Sequence, residues 1–554
     1  MSTHYAQPDS FHQEYTRYID FCSGFSRNFF MPPKRTKQAK GKRIQGTPKI
    51  CRINRLSNDL LLEILRHSCD SRTAEGFKRT CRYPDFDANF LSVSFVNKRW
   101  RSIILSTPSL WGKIYVALDS MSPEKTPPSI NSLVDLYLER SKGAALDICV
   151  LYSEYGVEDD EDEDYNSEQE REDDSDDEEG GNAGLLFPIL PKLFQHAFRW
   201  RSAVLRLPQS RALDNVRVPS DFPVLQKLDI ECVPAPDMDA GSTSFPGFEA
   251  PLLKKLSVTK FAFGGDFGST CLDDIALTWV TPTTAVDFLV NASSKCTANI
   301  HTLFSPYMNF GCSHVTSKLM ALTVTATHEE DMDPDPVGNL LVCLTLPNVE
   351  RLTFVDERDN SNNTLSRSWS FPTKSLLSLF DRSLLTTTNL TYLHFAGRYI
   401  SDSDLVKILD RLPALEHLVF KEASPKIDES NPLTEHFFQS SVARYNPVKD
   451  HFNDVGISPP FLPNLTHIEL GFYSKSFPSL ALAEFIKSRL PTLSEDGGQS
   501  DPLPQNGIPD WKIVRVQIYK SMQDASQLAD ALKQSLSKYR SGKAVIEITA
   551  EYYE

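Results

Sequence analysis

The amino-acid sequence predicts an α/β protein, with a small helical module near the amino terminus and then an irregular solenoid of parallel strands alternating with helices. Two observations lead to this prediction. Residues 56–111 have the apolar spacing of helices, and from about residue 185 the chain repeats an apolar x-L-x-x-L lead-in followed by a short β-branched strand. Amphipathic stretches such as 402–412 separate the repeated strands, as expected when each strand returns through a helix.

The acidity of the chain is confined to one tract. The net charge is −15, from 73 acidic and 58 basic residues, and residues 158–179 alone hold 16 acids and one base, Arg171. The rest of the chain carries 57 residues of each sign, so it is electrically balanced. This balance excludes a broadly basic nucleic-acid-binding protein.

The sequence contains no motif for catalysis or for a cofactor. The ten cysteines include no C-x-x-C pair, which argues against a zinc ribbon and favours reduced thiols. The 12 histidines form no H-E-x-x-H, there is no G-x-S-x-G, and the glycine-rich segment 264–269 has no lysine for a phosphate. We therefore expect a non-catalytic binding protein without metal or cofactor. The alternative is an enzyme with an α/β fold, which would need a pocket where polar side chains converge.

We expect the polar residues 1–50 to be a disordered basic tail. Its basic cluster consists of Lys34, Arg35, Lys37, Lys40, Lys42 and Arg43. Such a cluster is typical of a nuclear import signal or of a weak nucleic-acid contact, and a solvated tail is an equal alternative. The tail has no apolar region typical of a secretory signal, and no apolar run approaches the ~20 residues of a membrane span. We therefore expect a protein of the nucleus or the cytoplasm.

Residues 51–116 form the predicted helical module, with a polar insertion at 70–88. Ser57 or Asn58 is suited to cap a first helix, whose apolar stripe is formed by Leu60, Leu61, Ile64 and Leu65. A second helical stretch begins near residue 90, and its one-turn spacing is shown by Val96, Trp100 and Ile104. Pro108 ends this stretch because a proline restricts its predecessor to extended conformations, and an apolar Leu110–Trp111 plug follows.

The order of these residues resembles the F-box, whose pattern is roughly L-P-x-E-L-L-x-x-I-L, a spacer, V-C-x-x-W and a final L-W. The corresponding positions are Leu56, Ser57, Asp59, Leu60, Leu61, Ile64, Leu65, Val96, Asn97, Trp100, Leu110 and Trp111. Ser57 replaces the usual proline, and the spacer is longer than usual. A long spacer is common in F-box-like proteins of the type expanded in mushroom-forming fungi, which the whole chain resembles. A small helical hairpin that packs on the next domain is the structural alternative.

The resemblance implies the substrate-recognition adaptor of an SCF-type (Skp–cullin–F-box) E3 ubiquitin ligase, itself without catalytic activity. The residues implied in the F-box core and in docking on the Skp-type adaptor are Leu56, Ser57, Leu60, Leu61, Ile64, Leu65, Val96, Trp100, Ile104, Leu110 and Trp111. Arg99 and Arg101 would pair with acidic residues of that partner or remain ordinary surface arginines. The alternative function is a leucine-rich-repeat-like scaffold that does not engage a ligase.

After a linker and helix at 117–145, strands recur through residue 554. A strand is predicted at 145–152, and the later strands align on Leu228, Leu256, Leu277, Leu303, Leu322, Leu352, Leu393, Leu418, Ile468 and Val516. Six of the nine spacings between these positions are 19–30 residues, near the ~20–29 of leucine-rich repeats. We therefore predict an irregular leucine-rich-repeat-like solenoid over 146–554, with a generic doubly wound domain as the alternative.

The solenoid is predicted to hold the target protein on the outward side of its strands. The candidate residues there are Lys227, Glu350, Arg351, Phe354, His394, Phe395, Glu416, His417, Phe420, His467 and Tyr473. The acidic insertion at 155–184 is expected to be disordered, as a solvated spacer or as a contact for a basic partner. Ser167 and Ser175 within it resemble acidophilic kinase sites, where phosphate would add negative charge.

Overall fold

The computed structural model divides the chain into two compact units, residues 1–219 with 235–238 and residues 220–234 with 239–554. The structure describes residues 56–70, 74, 77, 85–118, 128–152, 189–208, 216–233, 244–245, 247–263, 267–268, 271–303, 314–326, 335–356, 371–383, 389–397, 400–422, 432–445, 461–473, 477–490, 511–520, 522–537 and 544–552. The predicted basic tail, the acidic insertion, Ser167 and Ser175 lie outside these residues.

The first unit combines short helices with a four-stranded sheet. Its helices are α1 (Asn58–Asp70), α2 (Asn89–Ser94), α3 (Lys98–Ser106), α4 (Pro128–Ser141) and α5 (Ile189–Phe194), with 3₁₀ helices at Pro108–Gly112 and Ala197–Arg199. Its strands are β1 (Asp85–Phe86), β2 (Lys113–Leu118), β3 (Leu146–Tyr152) and β4 (Trp200–Pro208). Strand β1 pairs antiparallel with β2, and β2, β3 and β4 are parallel neighbours.

Strands β2 and β3 are buried on both sides, which explains their almost continuous apolar sequences. In register, Val116 lies opposite Val150, and Val150 lies opposite Leu205. The predicted strand at 145–152 agrees with β3 within one residue, and the helix predicted within 117–145 is α4.

The second unit is built on a long parallel sheet. Its strands are β5 (Lys227–Val233), β6 (Ser244–Phe245), β7 (Phe248–Glu249), β8 (Lys255–Thr259), β9 (Ala262–Phe263), β10 (Phe267–Gly268), β11 (Leu272–Val280), β12 (Ala292–Leu303), β13 (Val315–Thr316), β14 (Ala321–Ala326), β15 (Leu344–Thr345), β16 (Arg351–Asp356), β17 (Tyr392–Ala396), β18 (His417–Lys421), β19 (His467–Phe472), β20 (Ile513–Lys520) and β21 (Val545–Tyr552). The main sheet has the order β5-β8-β11-β12-β14-β16-β17-β18-β19-β20-β21, and the two-residue strands form separate pairs.

Helices return the chain between most strands of this sheet. They are α6 (Pro282–Leu289), α7 (Pro336–Cys343), α8 (Thr373–Arg382), α9 (Asp402–Asp410), α10 (Glu435–Tyr445), α11 (Ser479–Lys487) and α12 (Met522–Leu536). Each of these helices packs against the next one along the chain. The prediction of an α/β fold with parallel strands alternating with helices is confirmed, and the sequential strand order is compatible with a solenoid.

Local sequence explains where these helices begin and end. Thr281 and Asp335 cap α6 and α7 through their side-chain oxygens, and a proline occupies the first helical position of each. At the other end, indole N–H groups donate to carbonyls near helix termini: Trp111 to Ile104 at 2.9 Å and Trp511 to Ile486 at 3.1 Å. Each carbonyl also accepts a backbone N–H from the end of its helix, from Thr107 and from Arg489, so the indole is a second donor that fixes the tryptophan against the helix end.

The core of the second unit is a pair of apolar rows that cross the sheet. Leu352, Leu393 and Leu418 lie in register in one row, and Phe354, Phe395 and Phe420 lie two residues further along the same strands. Neighbouring rings of the second row are 5.6 and 5.9 Å apart between centroids. The prediction that these three phenylalanines face outward is wrong, because all three are completely buried.

Three predicted strand alignments are also wrong. The register places Ile275, Ala298 and Val514 in the row where the sequence suggested Leu277, Leu303 and Val516. The shift is two residues for Leu277 and Val516, which keeps an apolar residue on the buried side because side chains alternate with a period of two. It is five residues for Leu303, near the end of the long strand β12. Strand β21 was not predicted, since its sequence lacks the x-L-x-x-L lead-in.

No helix in the described ranges is both long enough and apolar enough to span a membrane.

We predict that Phe395→Ala lowers the free energy of unfolding by about 3–5 kcal/mol, because it opens a cavity inside the phenylalanine row. Urea unfolding of the full chain, followed by circular dichroism, measures this loss. Leu480→Ala is the matched control, since Leu480 is 69% exposed. Equal stability of the two variants would contradict the assignment of this row to the core.

Candidate functional site on the N-terminal helices

Helix α1 begins at a serine cap. The Ser57 hydroxyl oxygen accepts a hydrogen bond from the backbone N–H of Leu60 at 3.2 Å, and the Ser57 carbonyl accepts one from Leu61 at 3.0 Å. Serine is a favoured cap because its oxygen satisfies an amide that has no helical partner. The residue that departs from the F-box pattern therefore keeps a role in starting the helix.

The second predicted helical stretch is two helices, α2 and α3, separated by a turn at 95–97. Asn97 is extended, with φ −162° and ψ 167°, and its side chain accepts a 2.9 Å hydrogen bond from the N–H of Trp100. An asparagine in this role starts a new helix. Helix α3 ends at Ser106, and the next residue, Thr107, precedes Pro108 and is extended as predicted.

The structure divides the residues of the F-box-like pattern into two sets. The buried set comprises Leu61, Leu65, Ile104, Leu110 and Trp111, none of them more than 3% exposed. Trp111 donates its indole N–H to Ile104 and meets the Tyr137 ring edge-on, with 5.0 Å between centroids. These five side chains belong to the core of the first unit and are not accessible to a partner.

The second set is apolar and exposed. Leu60 is 56% exposed, Ile64 39% and Val96 57%. Phe95, which the sequence analysis did not single out as a site residue, is 47% exposed. We call Leu60, Ile64, Phe95 and Val96 the exposed apolar patch. Leu56 and Trp100 are half-buried, and Ser57 is exposed.

Arg99 joins α1, which carries Leu60 and Ile64, to α3, which directly follows the turn that carries Phe95 and Val96. Its Nη2 donates to the Leu56 carbonyl at 2.5 Å and to Asn58 Oδ1 at 2.8 Å, and its Nε donates to the same Oδ1 at 3.0 Å. This guanidinium therefore fixes the start of α1 against the start of α3. Arg99 is hydrogen-bonded within the chain. Arg101 is exposed, and its guanidinium carbon lies 5.8 Å from the centroid of the Phe95 ring.

The second candidate site is the outward side of strands β16–β19. Arg351, Tyr392, His417 and His467 lie in one register row, each directly before the leucine or isoleucine that aligns its strand. The guanidinium of Arg351 lies 4.6 Å from the Tyr392 centroid, and the rings of His417 and His467 stack at 3.9 Å. The row contains Tyr392, which was not among the predicted residues although the alignment placed it here.

A second stack lies at the carboxyl ends of two neighbouring strands. The rings of Tyr473 and Tyr519 are 4.2 Å apart and nearly parallel. Tyr473 was among the predicted residues and Tyr519 was not. Of the remaining candidates, Glu350 and Glu416 are exposed and Lys227 is half-buried. These groups are spread along the sheet and do not converge on one point.

The imidazoles of this surface are held in their neutral form. Burial, with the nearby charge of Lys421, lowers the pKa of His394 to about 4, although Glu469 opposes the shift. Lys421 and Glu469 form an ion pair at 3.0 Å. Burial is also the main cause that lowers the pKa of His417 and of His467. The imidazoles of His417 and His467 are therefore neutral near pH 7, in the same row as the charged Arg351.

Comparisons with known proteins add no family assignment: no protein-family model matches the chain, and no curated protein matches it either. Within the described ranges, no group of three or more His, Cys, Asp or Glu residues is arranged to hold a metal ion.

We predict that Arg99→Ala frees the start of α1, because three hydrogen bonds to Leu56 and Asn58 are lost. The free energy of local opening of α1 should fall by about 1–3 kcal/mol. Hydrogen exchange of the amides of residues 61–66 measures this quantity. Arg101→Ala is the control and should leave protection unchanged, and equal exchange in the two variants would contradict the clamp.

We predict that His394 makes stability depend on pH. Its folded-state pKa of about 4 lies below the ordinary 6.5, so the unfolded chain binds the proton more readily. The contribution is fully present above pH 6.5 and is lost as the pH falls toward 4, by on the order of 1 kcal/mol per pH unit at most for this partly exposed ring. Urea unfolding at pH 7.5, 6 and 5 should show a weaker pH dependence in His394→Gln. Identical pH dependence would refute the prediction.

Proposed function

We propose that this protein is the substrate-recognition adaptor of an SCF-type ubiquitin ligase, in which an F-box-like module docks on a Skp-type adaptor. The observation that carries the proposal is the division of the pattern residues into a buried set and an exposed apolar set. A helical hairpin that only packs on the next domain needs the buried set alone. A docking module needs both sets, one to fold it and one to bind.

The exposed set has the arrangement that a hydrophobic groove recognises. Leu60 and Ile64 are four residues apart on α1, so they lie on one side of the helix, as in other helix-in-groove contacts. Burial of a large apolar side chain stabilises a complex by about 1.5–3 kcal/mol. Arg99 holds α1 against α3, so the patch is ordered before the partner arrives and loses little entropy on binding.

The leucine-rich-repeat-like second unit would bind the target protein. Its outward side offers the aromatic row from Tyr392 to His467 and the Tyr473–Tyr519 stack, and aromatic side chains are frequent anchors of protein interfaces. The protein would carry out no bond chemistry itself. It would raise the rate of ubiquitin transfer by holding a lysine of the target near the charged conjugating enzyme.

We predict that Leu60→Asp and Ile64→Asp each abolish co-purification of the full chain with a Skp-type adaptor, because a carboxylate would be buried without a partner in an apolar groove. Pull-down from co-expressing cells, followed by calorimetry, measures the loss. Both side chains are exposed, so the variants should fold, and circular dichroism checks this.

Two controls make the experiment specific. Leu480→Asp, on the exposed side of α11, should bind the adaptor like the wild type. Leu61→Asp is unsuitable as a binding variant because Leu61 is completely buried and the change would unfold the module. If the folded wild-type chain does not bind the adaptor, the alternative of a scaffold that does not engage a ligase replaces the proposal.

A further inference from the structure

Strand β21 is the terminal strand of the main sheet, and its second edge has no partner strand among the described residues. All eight of its residues pair with β20 in register, without a bulge. Its sequence, VIEITAEY, contains no proline, glycine or lysine. Edge strands of natural proteins are commonly short, bulged or protected by proline or lysine, so β21 is an edge that remains able to pair with another strand.

The free edge is formed by the backbone of alternate residues. The N–H of Val545 donates to the Lys512 carbonyl at 2.9 Å, so Val545 bonds toward β20. Successive N–H groups of a strand point to opposite edges, and the N–H and C=O groups of Ile546, Ile548 and Ala550 therefore point to the free edge. An extended chain matches this row of evenly spaced donors and acceptors, as in complexes where a peptide adds a strand to a sheet.

The buried side of β21 is apolar and incompletely covered. Ile546 lies in register with Val514, which is completely buried, yet Ile546 itself is only half-buried. Ile548 lies opposite the completely buried Val516 and is 8% exposed. A further strand with β-branched apolar residues on this side would complete the burial of both isoleucines.

The outward side of β21 is acidic. Glu547 and Glu551 are both exposed and lie four residues apart, with the exposed Thr549 between them. Glu547 accepts a 2.7 Å hydrogen bond from Arg515 of β20, and Glu551 accepts a long one, 3.4 Å, from Gln517. Because opposite charges across a strand pair are stabilising, this side of the edge favours a strand with basic residues.

The same charges disfavour a second copy of the chain as the occupant. Two antiparallel β21 strands must keep their outward sides together, which leaves few registers. The two such registers with the longest overlap place Glu547 either directly opposite Glu551 or diagonal to Glu547 of the second copy. Both arrangements bring like charges together and are destabilised.

We propose that the free edge of β21 binds an extended protein segment that carries basic residues four positions apart on one side and β-branched apolar residues on the other. This segment joins the sheet as a further strand. Its basic side chains pair with Glu547 and Glu551, and its apolar side chains cover Ile546 and Ile548. The inference goes beyond the proposed function and does not depend on a ligase, since it concerns an edge of the sheet and not the N-terminal helices.

The test is fluorescence anisotropy of the full chain with a labelled probe peptide, TKVTVKVT, whose lysines lie on one side of an extended strand and whose valines lie on the other. The probe should bind the wild type, and more weakly at 200 than at 50 mM salt. Ala550→Pro should weaken binding about 10-fold or more, because proline removes an N–H of the free edge and leaves the bonds to β20 intact. Ala550→Val keeps this N–H and should retain binding.

Charge reversal tests the acidic side of the edge. Glu551→Lys should weaken binding of the probe about 5-fold at 50 mM salt, and it should strengthen binding of a second probe, TEVTVEVT, in which glutamates replace the lysines. Glu484→Lys, at an exposed position of α11, is the matched control and should leave both affinities unchanged.

Three results would overturn the proposal. The first is a wild-type chain that does not bind the basic probe, and the second is equal binding by the wild type and Ala550→Pro. The third is sedimentation of the wild type as a dimer that Ala550→Pro dissociates, since a second copy would then occupy the edge. None of these results bears on the proposed function, which is tested by binding of the Skp-type adaptor.

Discussion

Parallel pairing of strands in register is the constraint on which the second unit depends. One buried row crosses its sheet from Leu228 through Leu352 and Leu393 to Val514, and every side chain along it is shielded from water. A single strand and helix cannot bury such a row, so each repeat is stable only against its neighbours. The same register then fixes the opposite side of the sheet, where Tyr392, His417 and His467 come together without any direct sequence link.

In the first unit, one short segment buries apolar residues on one side and exposes apolar residues on the other. The residues that face inward, such as Leu61 and Trp111, hold α1, α3 and the following strand together. Residues one position away, such as Leu60, project into solvent because a helix turns by about 100° per residue. The Arg99 clamp makes the exposed set an ordered surface. The residues that stabilise the fold and the residues of the proposed docking surface therefore lie on different sides of this segment.

Much of the fold could be predicted from local signals. Capping residues, prolines and apolar periodicity located α4, β3 and most of the strands of the second unit. The alternation of apolar residues did not fix the register, so Leu277 and Val516 were aligned two positions and Leu303 five positions too far along their strands. The buried phenylalanine row could have been predicted, because Phe354, Phe395 and Phe420 lie two residues after the buried leucines of their strands. The period of two therefore places them on the same side as those leucines.

The candidate site was predictable in its position along the chain but not in its surface. Spacing identified the pattern residues, yet only the packing of α1 against α3 separates the exposed Leu60 from the buried Leu61.

The central proposal is that the exposed apolar patch is a docking surface. The most direct measurement is hydrogen exchange of the full chain with and without a Skp-type adaptor. If the patch is the docking surface, we expect binding to slow the hydrogen exchange of amides within residues 58–66 and 92–101. Binding without protection there, or protection only in the second unit, would contradict it.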